Sequence, residues 1–194
     1  MFNLHLNLMS PENAINEIKR LYETYGHLKY DEAISQVQHA VQAGRLAGEA
    51  GYGDEVVLGA FFHDIGHLMI EEVPDKQRDD AIYRHQIVGA NYLRERGFSE
   101  EVATIVENHV AGKRYLTAVD ASYMSTLSPA SVNSLKFQGG PMSDEEVAEF
   151  EAAEKKDLYI DMRRWDDLAK NPADADINMQ PYFDMALMHL QSQD

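Results

Sequence analysis

The chain has 194 residues, 33 acidic against 17 basic side chains, a formal net charge of −16 and no cysteine. That length fits one domain spanning 1–194 at ~100–200 residues per domain, and the missing cysteines exclude a disulfide framework and leave only His, Asp, Glu and Tyr as metal ligands. So negative a chain repels nucleic acid, no apolar run reaches the ~20 residues of a membrane-spanning helix, and the opening MFNLHLNLMSPEN lacks the basic and apolar stretches of a signal peptide, so a cytoplasmic location is expected.

In chain order, nearly every segment carries the apolar spacing of an amphipathic helix. Ser10-Pro11 opens one that runs to about Tyr25, with proline at its first position. Ser35 caps a second, ending near Gly51, and Asp54 starts a third, EVVLGAFFHDIGHL, apolar enough to be central. Asp79 or Asp80 opens a fourth, stopped by Gly97. Ser99 followed by two glutamates opens a fifth, expected to end about Val110.

Thr117 to Phe137 reads as two short helices broken at Ser128-Pro129, and Gln138-Gly139-Gly140-Pro141 as a loop. Ser143-Asp144-Glu145-Glu146 is a capping box. Lys156 to Lys170 and Pro181 to Gln191 complete the set. No segment shows the period-two pattern of a strand. The expected class is all-α, a compact orthogonal bundle with a metal-binding core over about 35–170.

His63 and Asp64 stand side by side inside the apolar third helix. A buried carboxylate needs a cation or a metal, and imidazole with carboxylate is a ligand set for Zn, Fe or Mn. Alone, the pair is equally a polar patch at a helix end. His39 on the preceding helix, and His85 and His109 on the next two, each fall within a helical pattern. A single such histidine is more often a core residue, but four on successive helices point to one metal site.

These residues resemble the H…HD…D signature of the HD superfamily, with His85 and His109 matching the additional histidines of its binuclear members. The late aspartate is one of Asp161, Asp166 and Asp167; the stretch Met162-Arg163-Arg164-Trp165-Asp166-Asp167 resembles the closing motif, which selects Asp166. The implied ligand set is His39, His63, Asp64, His85, His109 and Asp166. Six ligands are too many for one octahedral metal with an open position and suit two metals bridged by Asp64.

Most HD proteins are phosphohydrolases, in which metals clamp a phosphate and activate water. A minority, including myo-inositol oxygenase and the phosphonate oxygenases of the PhnZ/TmpB type, hold two iron ions as Fe(II)/Fe(III) and use O2. The segment from Tyr30 through Glu32, Ser35, Gln36 and Gln38 to His39 resembles the phosphonate oxygenases, one residue shorter between the tyrosine and the glutamate. The resemblance implies that Tyr30 covers an iron until substrate arrives and that Glu32 faces the substrate amine. It also implies roles for His67, Lys113 and Arg163, together with Gln38 and Ser131, in holding the phosphonate, with His67 beside the reaction.

Lysine and arginine suit an anion drawn into an acidic protein. Bland readings stand beside each: a loop aromatic for Tyr30, a first-turn acid for Glu32, a residue hydrogen-bonded behind the ligands for His67 and a helix-end cation for Lys113. Tyr115, Tyr123 and Trp165 read as packing. The implied reaction is O2-dependent cleavage of the C–P bond of a 1-hydroxy-2-(amino or trimethylammonio)ethylphosphonate to phosphate and glycine or glycine betaine. The alternative is an HD phosphohydrolase acting on a nucleotide or phosphomonoester. Loss of Arg163 is expected to impair substrate binding and leave the metals in place.

Overall fold

The computed structural model describes residues 9–29, 32–72 and 84–193. Among these the secondary structure is helical, with no strand. Helix α1 spans Pro11–Tyr25, α2 Gln36–Glu49, α3 Asp54–Phe62, α4 Ile65–Ile70, α5 His85–Arg94 and α6 Glu100–Val119. A 3-10 turn at Tyr123–Thr126 precedes α7 Pro129–Phe137, α8 Asp144–Ala152, α9 Lys156–Leu168 and α10 Gln180–Gln193.

The expected caps are in place. Ser10, Ser35, Ser99, Ser128 and Ser143 each accept a hydrogen bond from a backbone amide in the first turn, and Ser35 and Ser143 form reciprocal capping boxes with Gln38 and Glu146. Each such cap is worth roughly 1 kcal/mol. Gly51 and Gly97 end their helices at positive φ, 84° and 87°.

Helix α3 is the centre. It packs against α2, α6 and α10, while α5 lies across α4 and α6, and α9 across α6 and α2. Leu58, Ala60, Phe61 and Phe62 are fully buried, and each phenylalanine removed from water contributes roughly 1.5–3 kcal/mol. Phe61 stacks on Tyr182 of α10, with ring centroids 4.4 Å apart, which clamps the C-terminal helix onto the core.

Two boundaries differ from expectation. The third helix is not continuous: it breaks at His63-Asp64, where Asp64 adopts φ −102° and ψ 10°. The fifth continues past Val110 to Val119, because its second half packs on α9 and α8 instead of facing solvent. The expected start of the fourth helix, at Asp79 or Asp80, lies outside the described residues; its described part begins at His85.

Candidate metal centre

The break between α3 and α4 puts His63 and Asp64 in one site. On a continuous helix adjacent side chains diverge by about 100°. Here Asp64 leaves the helical conformation, and both side chains turn into the space enclosed by α2, α5, α6 and α9. His39 projects from α2, His85 from the first position of α5, His109 from α6 and Asp166 from α9. All four histidines are buried, His63 completely.

The imidazoles meet in two pairs. His39 Nε2 lies 3.1 Å from His63 Nε2, and His85 Nε2 lies 3.0 Å from His109 Nε2. Asp64 stands between the pairs. Its Oδ2 is 3.6 Å from His39 and 3.5 Å from His63, while its Oδ1 is 3.3 Å from His85 and 3.5 Å from His109. Asp166 Oδ1 closes the first group, 3.3 Å from His39 Nε2. His67 stacks on His85 with centroids 3.9 Å apart, and its Nε2 is 3.9 Å from Asp64 Oδ1 at the second group.

The donor set fits a cation at each group. His39 Nδ1 contacts Ala169 O at 2.8 Å, His63 Nδ1 contacts Ala60 O at 2.8 Å, and His109 Nδ1 contacts Val106 O at 2.7 Å. A carbonyl only accepts, so each Nδ1 carries the proton, and in the neutral ring Nε2 is a bare lone pair. In the first group two such lone pairs converge with two carboxylate oxygens. Four acceptors without a donor repel unless a positive charge lies among them, and nitrogen with oxygen donors suits Fe, Mn or Zn.

Electrostatics agree. Burial lowers the pKa of His63 and pushes that of His109 well down. Burial, then the neighbouring His85, brings His67 down to about 3, so it is neutral. For His39 burial is opposed by Asp166 and Asp64, and the net shift is upward. Asp64 and Asp166 are both held well below the ordinary carboxylate range. Burial opposes this, but the imidazoles led by His63 outweigh it for Asp64, and Arg163 and Lys170 do so for Asp166.

Close helix contacts hold the geometry. A Cβ on Gly66 would fall 2.0 Å from the His85 carbonyl oxygen, so α4 touches the backbone of α5, and His85 is thereby brought to Asp64. A Cβ on Gly112 would fall 2.5 Å from Tyr159 O; this approach of α6 to α9 sets Lys113 beside Arg163.

The centre opens into a cavity of about 310 Å³ lined by Glu32, His67, Lys113, Ser131 and Arg163 together with His39, Asp64, His85, His109 and Asp166. Lys113 donates to Ser134 Oγ at 2.9 Å. Burial and the charge of Arg163 bring its pKa down to about 7. Arg163 is buried and kept charged: Nη1 donates to Asp166, Nη2 to Asp167, and Nε to Tyr123 Oη at 2.8 Å.

Gln38 is not brought to the cavity. It forms the capping box with Ser35, and its Nε2 donates to Asp174 O at 3.4 Å; Gln36, two positions earlier, lines the cavity instead. Tyr30 lies outside the described residues. Tyr123 is not simple packing, because its hydroxyl joins Arg163 to Asp167.

Lys170 was not singled out in the sequence. It reaches Glu32 Oε1 at 3.0 Å and stands 3.8 Å from Asp166 Oδ1. In the sequence it stands four positions after Asp166, the spacing that pairs side chains on one helical face, although α9 itself ends at Leu168.

The model of the HD domain matches residues 37–168. The chain belongs to the HD-domain family. It is 37% identical over 162 residues to the hydroxymethylphosphonate dioxygenase of Gimesia maris, covering 83% of this chain and 80% of that one. It is 36% identical over 177 residues to the glycine-betaine-forming [1-hydroxy-2-(trimethylamino)ethyl]phosphonate dioxygenase of Leisingera caerulea, covering 91% and 88%. A protein of Acanthamoeba polyphaga mimivirus without assigned function is 38% identical over 158 residues, 80% of this chain and 72% of its own. Within the HD family the chain thus groups with the phosphonate dioxygenases.

Proposed function

We propose that the protein is an O2-dependent diiron oxygenase that cleaves the C–P bond of a 1-hydroxyalkylphosphonate and releases inorganic phosphate. The observation that carries this reading is the placement of Asp64, one oxygen toward each imidazole pair, at the floor of a cavity with lysine and arginine in its wall. The kinship with two phosphonate dioxygenases supports it. The stoichiometry closes with dioxygen alone: a 1-hydroxyalkylphosphonic acid and one O2 give a carboxylic acid and phosphoric acid, with no external reductant. A 2-amino or 2-trimethylammonio substituent makes the organic product glycine or glycine betaine.

His39, His63, Asp64 and Asp166 would hold one iron, and Asp64, His85 and His109 the other. Iron bound there supplies electron exchange with dioxygen. The chain's other residues bind and orient. Lys113 spends one donor on Ser134 and keeps two for phosphonate oxygens. Arg163 engages its fork with Asp166, Asp167, Tyr123 and Ser131, so its larger part is to fix Asp166 and to add positive charge to the wall. His67, neutral, exchanges a hydrogen bond with the substrate. The aliphatic Ile34 and Ile70 limit water near the reacting carbon.

The test is to reconstitute the protein with ferrous iron, supply oxygen and measure phosphate released from hydroxymethylphosphonate, 2-amino-1-hydroxyethylphosphonate and its trimethylammonio analogue. Release from at least one supports the reading. Release from none, with oxygen-independent hydrolysis of a phosphomonoester, replaces it with the phosphohydrolase activity.

A further inference from the structure

Glu32 is the anionic wall residue that the resemblance assigns to a substrate cation, and it already has a cation. Its Oε1 accepts from Lys170 Nζ at 3.0 Å and from Ser128 Oγ at 2.7 Å. The same ammonium is 3.3 Å from Ser131 Oγ and 3.8 Å from Asp166 Oδ1. Both Lys170 and Glu32 line the cavity, and their side chains are about four-fifths buried, 19% and 21% exposed. Asp166 is shared with Arg163 and with the imidazole of His39. Glu32 has Lys170 as its cationic partner among the described residues.

We propose that Lys170 is a specificity-determining residue: it stands in for the substrate's cation at Glu32, and a cationic substrate must displace it. This rests on the function proposed above. A 1-hydroxyalkylphosphonate without nitrogen leaves the Lys170–Glu32 pair intact, and the pair presents no net charge to the organic end of the substrate. A 2-amino or 2-trimethylammonio substrate brings a second positive charge to Glu32. Like charges at one carboxylate that is four-fifths buried repel, so the lysine must swing off Glu32 before the substrate's cation is matched. Lys170 therefore sets how strongly the enzyme distinguishes the two substrate classes.

Replacing Lys170 by an uncharged residue of similar length leaves Glu32 an unpaired anion. That anion attracts an ammonium group, whereas an uncharged substrate end displaces its water and gives nothing in return. The experiment compares kcat/KM for 2-amino-1-hydroxyethylphosphonate and hydroxymethylphosphonate in the wild type, Lys170→Met, Lys170→Arg, Glu32→Gln and the double variant Glu32→Gln/Lys170→Met, with iron content measured in each. The expected result is a rise of at least tenfold in the aminated-to-unaminated ratio in Lys170→Met, a near wild-type ratio in Lys170→Arg, and no effect of Lys170→Met once Glu32 is glutamine. A purely structural lysine moves both substrates together and leaves the ratio alone. An unchanged ratio in Lys170→Met, with phosphate still released, overturns the role of Lys170 and leaves the oxygenase standing. Should Lys170→Met lose its iron, the ratio is read from Lys170→Gln, and an unchanged ratio there overturns the role equally. Absence of phosphate from hydroxymethylphosphonate, 2-amino-1-hydroxyethylphosphonate and its trimethylammonio analogue alike, with the iron of the wild type intact, refutes the oxygenase reading and with it this role.

Discussion

His39 and His63 face each other Nε2 to Nε2 across 3.1 Å, while each points its Nδ1 at a main-chain carbonyl. The carbonyls fix the tautomers, and the tautomers leave two lone pairs in opposition. A positive charge between or beside them relieves the repulsion. The pair on the other side of Asp64, His85 and His109, is built to the same spacing.

On the proposed diiron reading, this geometry divides the metals between the two groups. His39→Ala or His63→Ala should remove one iron per chain and leave part of the other. His109→Ala should do the reverse, and Asp64→Ala should empty both positions. Metal analysis of the purified variants checks the division. Equal loss from every variant, or full occupancy in His63→Ala, contradicts it.

Arg163 binds Asp166 and Asp167 together while fully buried, which changes the expectation for its removal. Arg163→Ala removes the guanidinium from the buried Asp166 and the half-buried Asp167, at a cost on the order of 3–5 kcal/mol. Both the midpoint of thermal unfolding and the iron content should fall, in contrast to the sequence expectation of a substrate-binding defect alone. Asp166→Asn should abolish iron binding at the first group. Asp167→Asn should keep the iron and lower stability by about 1–3 kcal/mol, since Asp167 faces Tyr123 and Arg163 instead of the histidines.

The residues of the His/Asp cluster were legible in the sequence because helical spacing and residue type mark them. His39, His63, His85 and His109 sit on inward faces that the apolar pattern already marks. Their partners were less legible. The break at Asp64 follows no glycine or proline; tertiary packing imposes it, with Gly66 pressed on the backbone of His85. The resemblance implies a substrate role for Gln38, yet its side chain is used by the Ser35 cap, a local bond that competes successfully with a longer reach. Lys170 finds Glu32 and Tyr123 finds Arg163 across 138 and 40 residues of sequence, and no local pattern reports those two contacts.

Gly66→Ala tests the helix contact directly. The added methyl would meet the His85 carbonyl, and relief requires α5 to move away from α4. The second position, which depends on His85, should lose iron before the first. Retention of both irons with unchanged stability would mean that the two helices separate without moving His85.

Lys113 gives the pH dependence. Burial and Arg163 bring its pKa down to about 7, so it is an ammonium below that pH and an amine above. The charged form is the one that holds a phosphonate. Values of kcat/KM, which report the free enzyme, should therefore fall as pH rises through about 7. Lys113→Arg, whose guanidinium stays charged, should flatten that limb. A limb identical in the wild type and Lys113→Arg assigns it to another group.

The most direct measurement of the central claim is the oxygen consumed per phosphate released, followed together in one vessel with iron-reconstituted protein and a 1-hydroxyalkylphosphonate. The account predicts one O2 per phosphate and no release under anaerobic conditions. Phosphate release that continues unchanged without oxygen would contradict it.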